Sequence, residues 1–177
     1  MKIFRLVKDI LFVLLGISIF FLKEIYVENL RFFIGSLITL YAICGAFECF
    51  LNKGHNSARI FCKSLVEFII GISTLVLFEK FETICVVWAI WAIMREADEI
   101  NECYELFKEK IPFVFGFIES VVAIVFSITL IMEPGEHHAM IHMYLLIVEL
   151  ITAVVFPRTR ELYVKVFKKE EETKEEE

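Results

Sequence analysis

Six apolar runs bounded by charged residues divide the chain, at about 9–27, 30–51, 60–78, 83–101, 112–132 and 138–157. Each is continuous and close to the roughly 20 residues a helix needs to cross a bilayer. None alternates over about ten residues as a barrel strand would. The pattern predicts an all-α, polytopic membrane protein with six transmembrane helices. The chain begins Met1-Lys2-Ile3-Phe4-Arg5, as a signal peptide does, but the first run ends in Phe21-Leu22-Lys23-Glu24 without a small-residue cleavage site. It therefore reads as the first span. After the fourth run, Ile100, Cys103, Tyr104, Phe107 and Ile111 recur at helical spacing opposite Asp98, Glu102, Glu105 and Glu109. That helix is expected to continue past the bilayer as an amphipathic piece and stop at Pro112.

The runs also repeat. Val13-Leu14-Leu15-Gly16-Ile17-Ser18 and Phe68-Ile69-Ile70-Gly71-Ile72-Ser73 match at an offset of 55, and Glu119-Ser120-Val121-Val122-Ala123 falls on Glu67-Phe68-Ile69-Ile70-Gly71. Even-numbered runs share Tyr41-Ala42-Ile43, Trp91-Ala92-Ile93 and Tyr144-Leu145-Leu146. The simplest architecture is three consecutive helical hairpins, each crossing in the same sense. Basic residues set the orientation, since basic loops stay cytoplasmic. Of 18 Lys and Arg, all but Lys23, Arg31 and Lys80 belong to the N-terminus, the second loop (Lys53, Arg59, Lys63), the fourth (Arg95, Lys108, Lys110) or the C-terminus. Both termini are therefore expected in the cytoplasm.

Composition agrees with this picture and narrows it. At 58% hydrophobic residues, with 19 Phe and a mean hydropathy of +0.70, the chain lies far above soluble proteins. One six-helix domain over 1–165 leaves no room for a separate soluble domain, only a disordered charged cytoplasmic tail over 166–177. The net charge of −6 comes mostly from Lys169–Glu177, so nothing argues for a nucleic-acid partner. The partner implied is the lipid bilayer. Five cysteines without a CxxC pair form neither a disulfide framework nor a zinc knuckle and read as reduced, small apolar residues.

Ionisable groups within spans cost about 2.5–3.5 kcal/mol each on insertion scales and are functional candidates by default. Glu48, Glu67, Glu96, Glu119 and Glu149 all fall in the cytoplasmic half. Glu67 shares a face with Gly71, and Glu119 shares one with Ala123 and Ser127, so these carboxylates should point into the bundle where small residues bring helices close. Two readings stand: a polar cavity holding protons or a cation, or carboxylates that reach the interface and pair with Lys63 or Arg95. His137, His138 and His142 cluster at the outer end of the sixth helix. They read as an inert interfacial turn, a pH sensor, or a weak metal site through the i, i+4 pair His138 and His142. His142 and Glu149 share a face, and a proton relay between them would need waters. Trp88 and Trp91, i and i+3 in the fourth helix, could stack on a ligand, and otherwise read as packing residues or interfacial anchors.

The first span carries Leu15-Gly16-Ile17 at mid-membrane, followed by a short outer turn. The second then carries Phe33-Ile34-Gly35 and Ile43-Cys44-Gly45-Ala46, and the unit repeats to six spans. In this the chain resembles the HdeD-like acid-resistance membrane proteins. The resemblance covers nearly the whole chain and rests on glycines in apolar context. Members often close their odd helices with proline; Met132-Glu133-Pro134 follows that pattern, whereas Leu22-Lys23-Glu24 and Phe78-Glu79-Lys80 do not. The resemblance implies a bacterial or archaeal inner membrane and a link to acid or envelope stress, with no catalytic residues to carry over. No Gly-rich phosphate loop, Gly-x-Ser-x-Gly elbow or Ser/His/Asp set stands out, so no enzyme activity and no cofactor are expected. Beside the stress role stand two alternatives: a small proton- or cation-coupled transporter or channel built on the carboxylates, and a scaffold that assembles with itself as a homo-oligomer.

Overall fold

A computed structural model of the protein describes residues 2–51, 57–152 and 154–155. The tail expected over 166–177 and the Glu48 side chain lie outside the described residues. The chain is all-helical: α1 Lys2–Glu28, α2 Leu30–Leu51, α3 Ser57–Val76, α4 Phe81–Lys108, α5 Val114–Met132 and a sixth helix, α6, from 136 to the limit of the described residues at 155.

Local chemistry explains the joints. Asn29 closes α1 through its amide, with Nδ2 donating to the Ile25 carbonyl at 3.0 Å, while its own carbonyl accepts from the Phe32 and Phe33 amides and starts α2. Leu22 leaves helical geometry (φ −118°, ψ 16°) and kinks α1. At the end of α4, the Lys110 amide bonds the Phe107 carbonyl and the Ile111 amide reaches the Leu106 carbonyl, a Schellman closure. The left-handed position, φ 56°, is filled by Lys110 rather than the usual glycine, and Pro112 prevents the helix from resuming. The amphipathic extension of α4 thus ends where its polar and apolar spacing predicts.

Three stretches, Ile10–Glu28, Leu30–Phe47 and Val114–Met132, are long and apolar enough to cross a membrane. Among the described residues that is fewer than the six runs suggest; in α3 and α4 charge is the reason, and the sixth run extends past the described residues. α3 carries Arg59, Lys63 and Glu67, and α4 carries Glu82, Arg95, Glu96 and Asp98 within an otherwise apolar stretch. The bundle is apolar outside and partly polar inside. Phe21, Phe50 and Met132 are at least 70% exposed, whereas Glu67 and Glu96 are 3% exposed and Ser120 and Ser127 are fully buried. An aqueous surface does not sustain so many contiguous apolar side chains, while lipid-facing helices require them.

Among α1 to α5 the broadest helix contacts join α2 to α3 and α4 to α5. These are not the pairs of the sequence repeat: α1 with α2 and α3 with α4 touch far less. Small residues decide which faces meet. A Cβ on Gly35 would come within 2.6 Å of Leu75 Cγ and 3.1 Å of the Gly71 carbonyl, and one on Gly71 would meet the Thr39 backbone nitrogen at 2.7 Å. The α2 and α3 backbones therefore touch directly, as small-residue interfaces allow. Arg31 fastens the same pair, donating from Nε and Nη2 to the Leu75 carbonyl at 2.8 and 2.6 Å. It satisfies a last-turn carbonyl of α3 and places a cation at the negative end of the helix dipole. Arg31, one of three bases on the sparsely charged side of the sequence pattern, thus has a structural task.

Between these pairs lies an apolar core of Ile19, Ile34, Ile38, Trp88, Leu130 and Met143, drawn from α1, α2, α4, α5 and α6. Trp88 and Trp91 are each 2% exposed, so both are packing residues and not interfacial anchors.

Candidate functional site

The buried charges gather at one end of the bundle. On α3, Lys63 lies 3.9 Å from Glu67, one turn away, and also bonds Asp98 of α4. Glu67 is buried, and its Oε1 accepts from Trp91 Nε1 at 3.3 Å. Arg59, largely exposed, approaches Asp98 at 3.5 Å. These contacts tie α3 to α4 through charge where their apolar contact is thin.

Arg95 is the hub of a second set. Its Nη2 lies 2.6 Å from Glu96 Oε1 and also pairs with Glu149 Oε2 on α6, and its guanidinium sits 5.4 Å from the Trp91 ring centre. Tyr41 of α2 meets the same tryptophan edge-on at 5.6 Å. A planar fork with several donors suits two carboxylates and an aromatic face together. Buried charges persist only when paired, and here one cation from α4 holds acids from α4 and α6.

Glu119 is arranged differently. It is half-buried on α5, the most apolar helix, and accepts from Thr152 Oγ1 of α6 at 2.7 Å. The same hydroxyl lies 3.0 Å from the Glu149 carbonyl, so its single proton is shared between two acceptors. Among the described residues no cation pairs with Glu119. It lines a crevice of about 150 Å³ between α5 and α6, walled by Phe115, Ala123, Leu145 and Val148, with Glu149 its other acidic member.

The candidate acids therefore divide. Glu67, Glu96 and Glu149 have cationic partners, and Glu119 has a hydroxyl. Pairing with Lys63 or Arg95 is thus realised for the two shallower described acids, Glu67 and Glu96, and extends to Glu149 as well. The histidines divide too. The rings of His137 and His138 lie 5.7 Å apart near the surface, while His142 is 5% exposed and meets Trp88 edge-on at 5.2 Å. The three therefore do not form one outward-facing cluster. Among the described residues no group of three or more His, Cys, Asp or Glu is placed to hold a metal ion.

Sequence reasoning missed Thr152 and the reach of Arg95 to Glu149. Depth was the available signal: Arg95 is the one cation well inside the fourth run, and a buried cation needs a carboxylate at its own level. Thr152 stands three residues past Glu149 and carries no signal by itself.

Comparison with known proteins finds no match among family models, curated proteins or solved structures.

Proposed function

We propose that this chain is a six-span protein of a bacterial or archaeal cell membrane, built on three repeated hairpins with both termini cytoplasmic, in which Glu119 takes up and releases a proton or small cation. The HdeD-like resemblance gives that chemistry a setting, acid or envelope stress, without catalytic turnover. Support for the membrane comes from the exposed Phe, Leu and Ile surface around buried carboxylates. Support for the orientation comes from the basic residues, concentrated at the end that holds Lys63 and Arg95.

One observation carries the functional part: Glu119, in the lining of an apolar crevice, has only a neutral hydroxyl as partner, while Glu67, Glu96 and Glu149 have cationic partners. A paired carboxylate must surrender a salt bridge to change its charge, and Glu119 need not. Its position also costs about 2.5–3.5 kcal/mol by insertion scales, offset within the protein by one hydrogen bond from Thr152.

The test is flux into liposomes carrying an internal pH dye, challenged with an acid pulse and with a cation gradient. The wild type should acidify the lumen faster than empty liposomes, and Glu119→Gln should return the rate to the empty-liposome value. Equal rates in wild type and Glu119→Gln, or no flux at all, would sink the reading.

A further inference from the structure

Three buried polar atoms lack any partner among the described residues: Ser120 Oγ, Ser127 Oγ and His142 Nε2. Their residues are 0%, 0% and 5% exposed. Elsewhere in the bundle, hydroxyls fold back onto their own helix. Ser18 donates to the Leu15 carbonyl, Thr39 to Gly35, Thr74 to Ile70 and Thr129 to Phe126, each at 2.7–2.8 Å. Ser120 and Ser127 forgo that bond although it is always within reach of a helical serine. A buried polar atom without a partner is costly, and three in one region indicate an occupant.

Their placement is ordered. Ser120 and Ser127 are seven residues apart on α5, and His142 and Glu149 are seven apart on the antiparallel α6, so each pair spans roughly 10 Å along its helix. The levels match at both ends. His142 lies against the Phe126 backbone, next to Ser127. Glu119, next to Ser120, is bridged by Thr152 to the Glu149 carbonyl. Beside them runs the α5–α6 crevice, walled almost entirely by apolar atoms, with Ala123 and Leu145 in its lining and neither serine nor His142. Ser127 is one turn beyond Ala123, and His142 is one turn before Leu145. Small side chains at Gly116, Ser120, Ala123 and Ser127 keep this face of α5 narrow. Around His142 the other groups are Trp88 on α4, with the charged or titratable Arg95 and His138 further off.

We infer that the α4–α5–α6 contact binds ordered water at Ser127 and His142 and at Ser120 and Glu119, forming a polar thread about 10 Å long from the buried histidine to the carboxylate. Polar, enclosed groups with no protein partner are what buried waters satisfy. As a proton path the thread rests on the proposed role of Glu119. As a water site it does not, and the two are tested apart.

The test is solid-state NMR of the full chain in lipid vesicles, following polarisation transfer from water to the His142 ring and the Ser120 and Ser127 side chains. Exposed His137 and buried Leu130 serve as wet and dry references in the same sample. Transfer at His142 and both serines should be as fast as at His137, and Ser127→Ala should lose it at His142 while leaving Ser120 unchanged. Transfer as slow as at Leu130 would overturn the inference, whatever the liposome experiment shows. Fast transfer that Ser127→Ala leaves intact would also overturn it, because the water would then not be held at this site. If transfer behaves as expected and Glu119→Gln does not alter flux, the water site stands and the function proposed for Glu119 falls.

Discussion

The α2–α3 and α4–α5–α6 contacts are built from the same material, small residues on apolar helices, and put it to opposite uses. Between α2 and α3, glycines bring two backbones into contact, and the hydroxyls of Thr39 and Thr74 bond their own helices. Glu67, beside them, is held by Lys63 and Trp91. Around α5 the small positions leave hydroxyls and an imidazole nitrogen without protein partners, and a carboxylate with a neutral one. Close approach gives rigidity in the first case and room for polar chemistry in the second. What separates them is whether each polar group is satisfied within its own interface.

The most severe way to break this comparison is at Arg95, which pairs with both Glu96 and Glu149. Arg95→Met leaves Glu96 and Glu149 buried without their cation and should cost about 3–5 kcal/mol, read as a large drop in thermal midpoint in detergent. Adding Glu96→Gln and Glu149→Gln removes the stranded charges and should recover most of the loss, since an apolar or neutral replacement of a whole buried ion set is often tolerated. No recovery in the triple variant would show that Arg95 acts by packing on Trp91 and not by charge.

A smaller effect separates glycines that the sequence repeat equates. Gly71→Ala places a Cβ 2.7 Å from the Thr39 backbone nitrogen and 3.1 Å from the Gly35 carbonyl, neither of which is a flexible side-chain end. Overpacking of this kind costs about 1–3 kcal/mol. Gly16→Ala meets only Leu150, at 4.0 Å. There the helix gains roughly 0.5–1 kcal/mol from replacing glycine. Opposite signs in one thermal-shift series would confirm that the repeat preserves residue type and not packing role. Equal losses would mean that α1 is packed as tightly as α3.

That contrast shows what the sequence reveals and where it stops. The helices are legible because their apolar runs are continuous, and the end of α4 is legible because its amphipathic spacing runs to Pro112. Which helices pack together is not, because periodicity identifies a small-residue face without naming its partner. The repeat suggests pairs α1–α2 and α3–α4, whereas Gly35 and Gly71 join α2 to α3. The candidate site is legible by residue type only. Glu119 and Glu149 look alike in sequence and differ in space, because Arg95 reaches one and Thr152 the other. Adjacency in sequence also joins three histidines that the helix separates, turning His142 inward onto Trp88.

The finest test of the comparison is Ser127→Ala measured for stability. If the Ser127 hydroxyl is dry and unpartnered, its removal relieves a buried polar group and should stabilise the protein by about 1–3 kcal/mol. If water satisfies it, the relief is offset by the lost hydrogen bond, and the change should stay within about 0.5 kcal/mol. Ser127 is fully buried and the substitution deletes a single atom without opening a cavity larger than that atom, so packing contributes little to either outcome. Near-neutrality is the expected result. A clear rise in thermal midpoint would instead place the α5 interface in the same class as α2–α3, a dry contact in which an unsatisfied hydroxyl is simply tolerated.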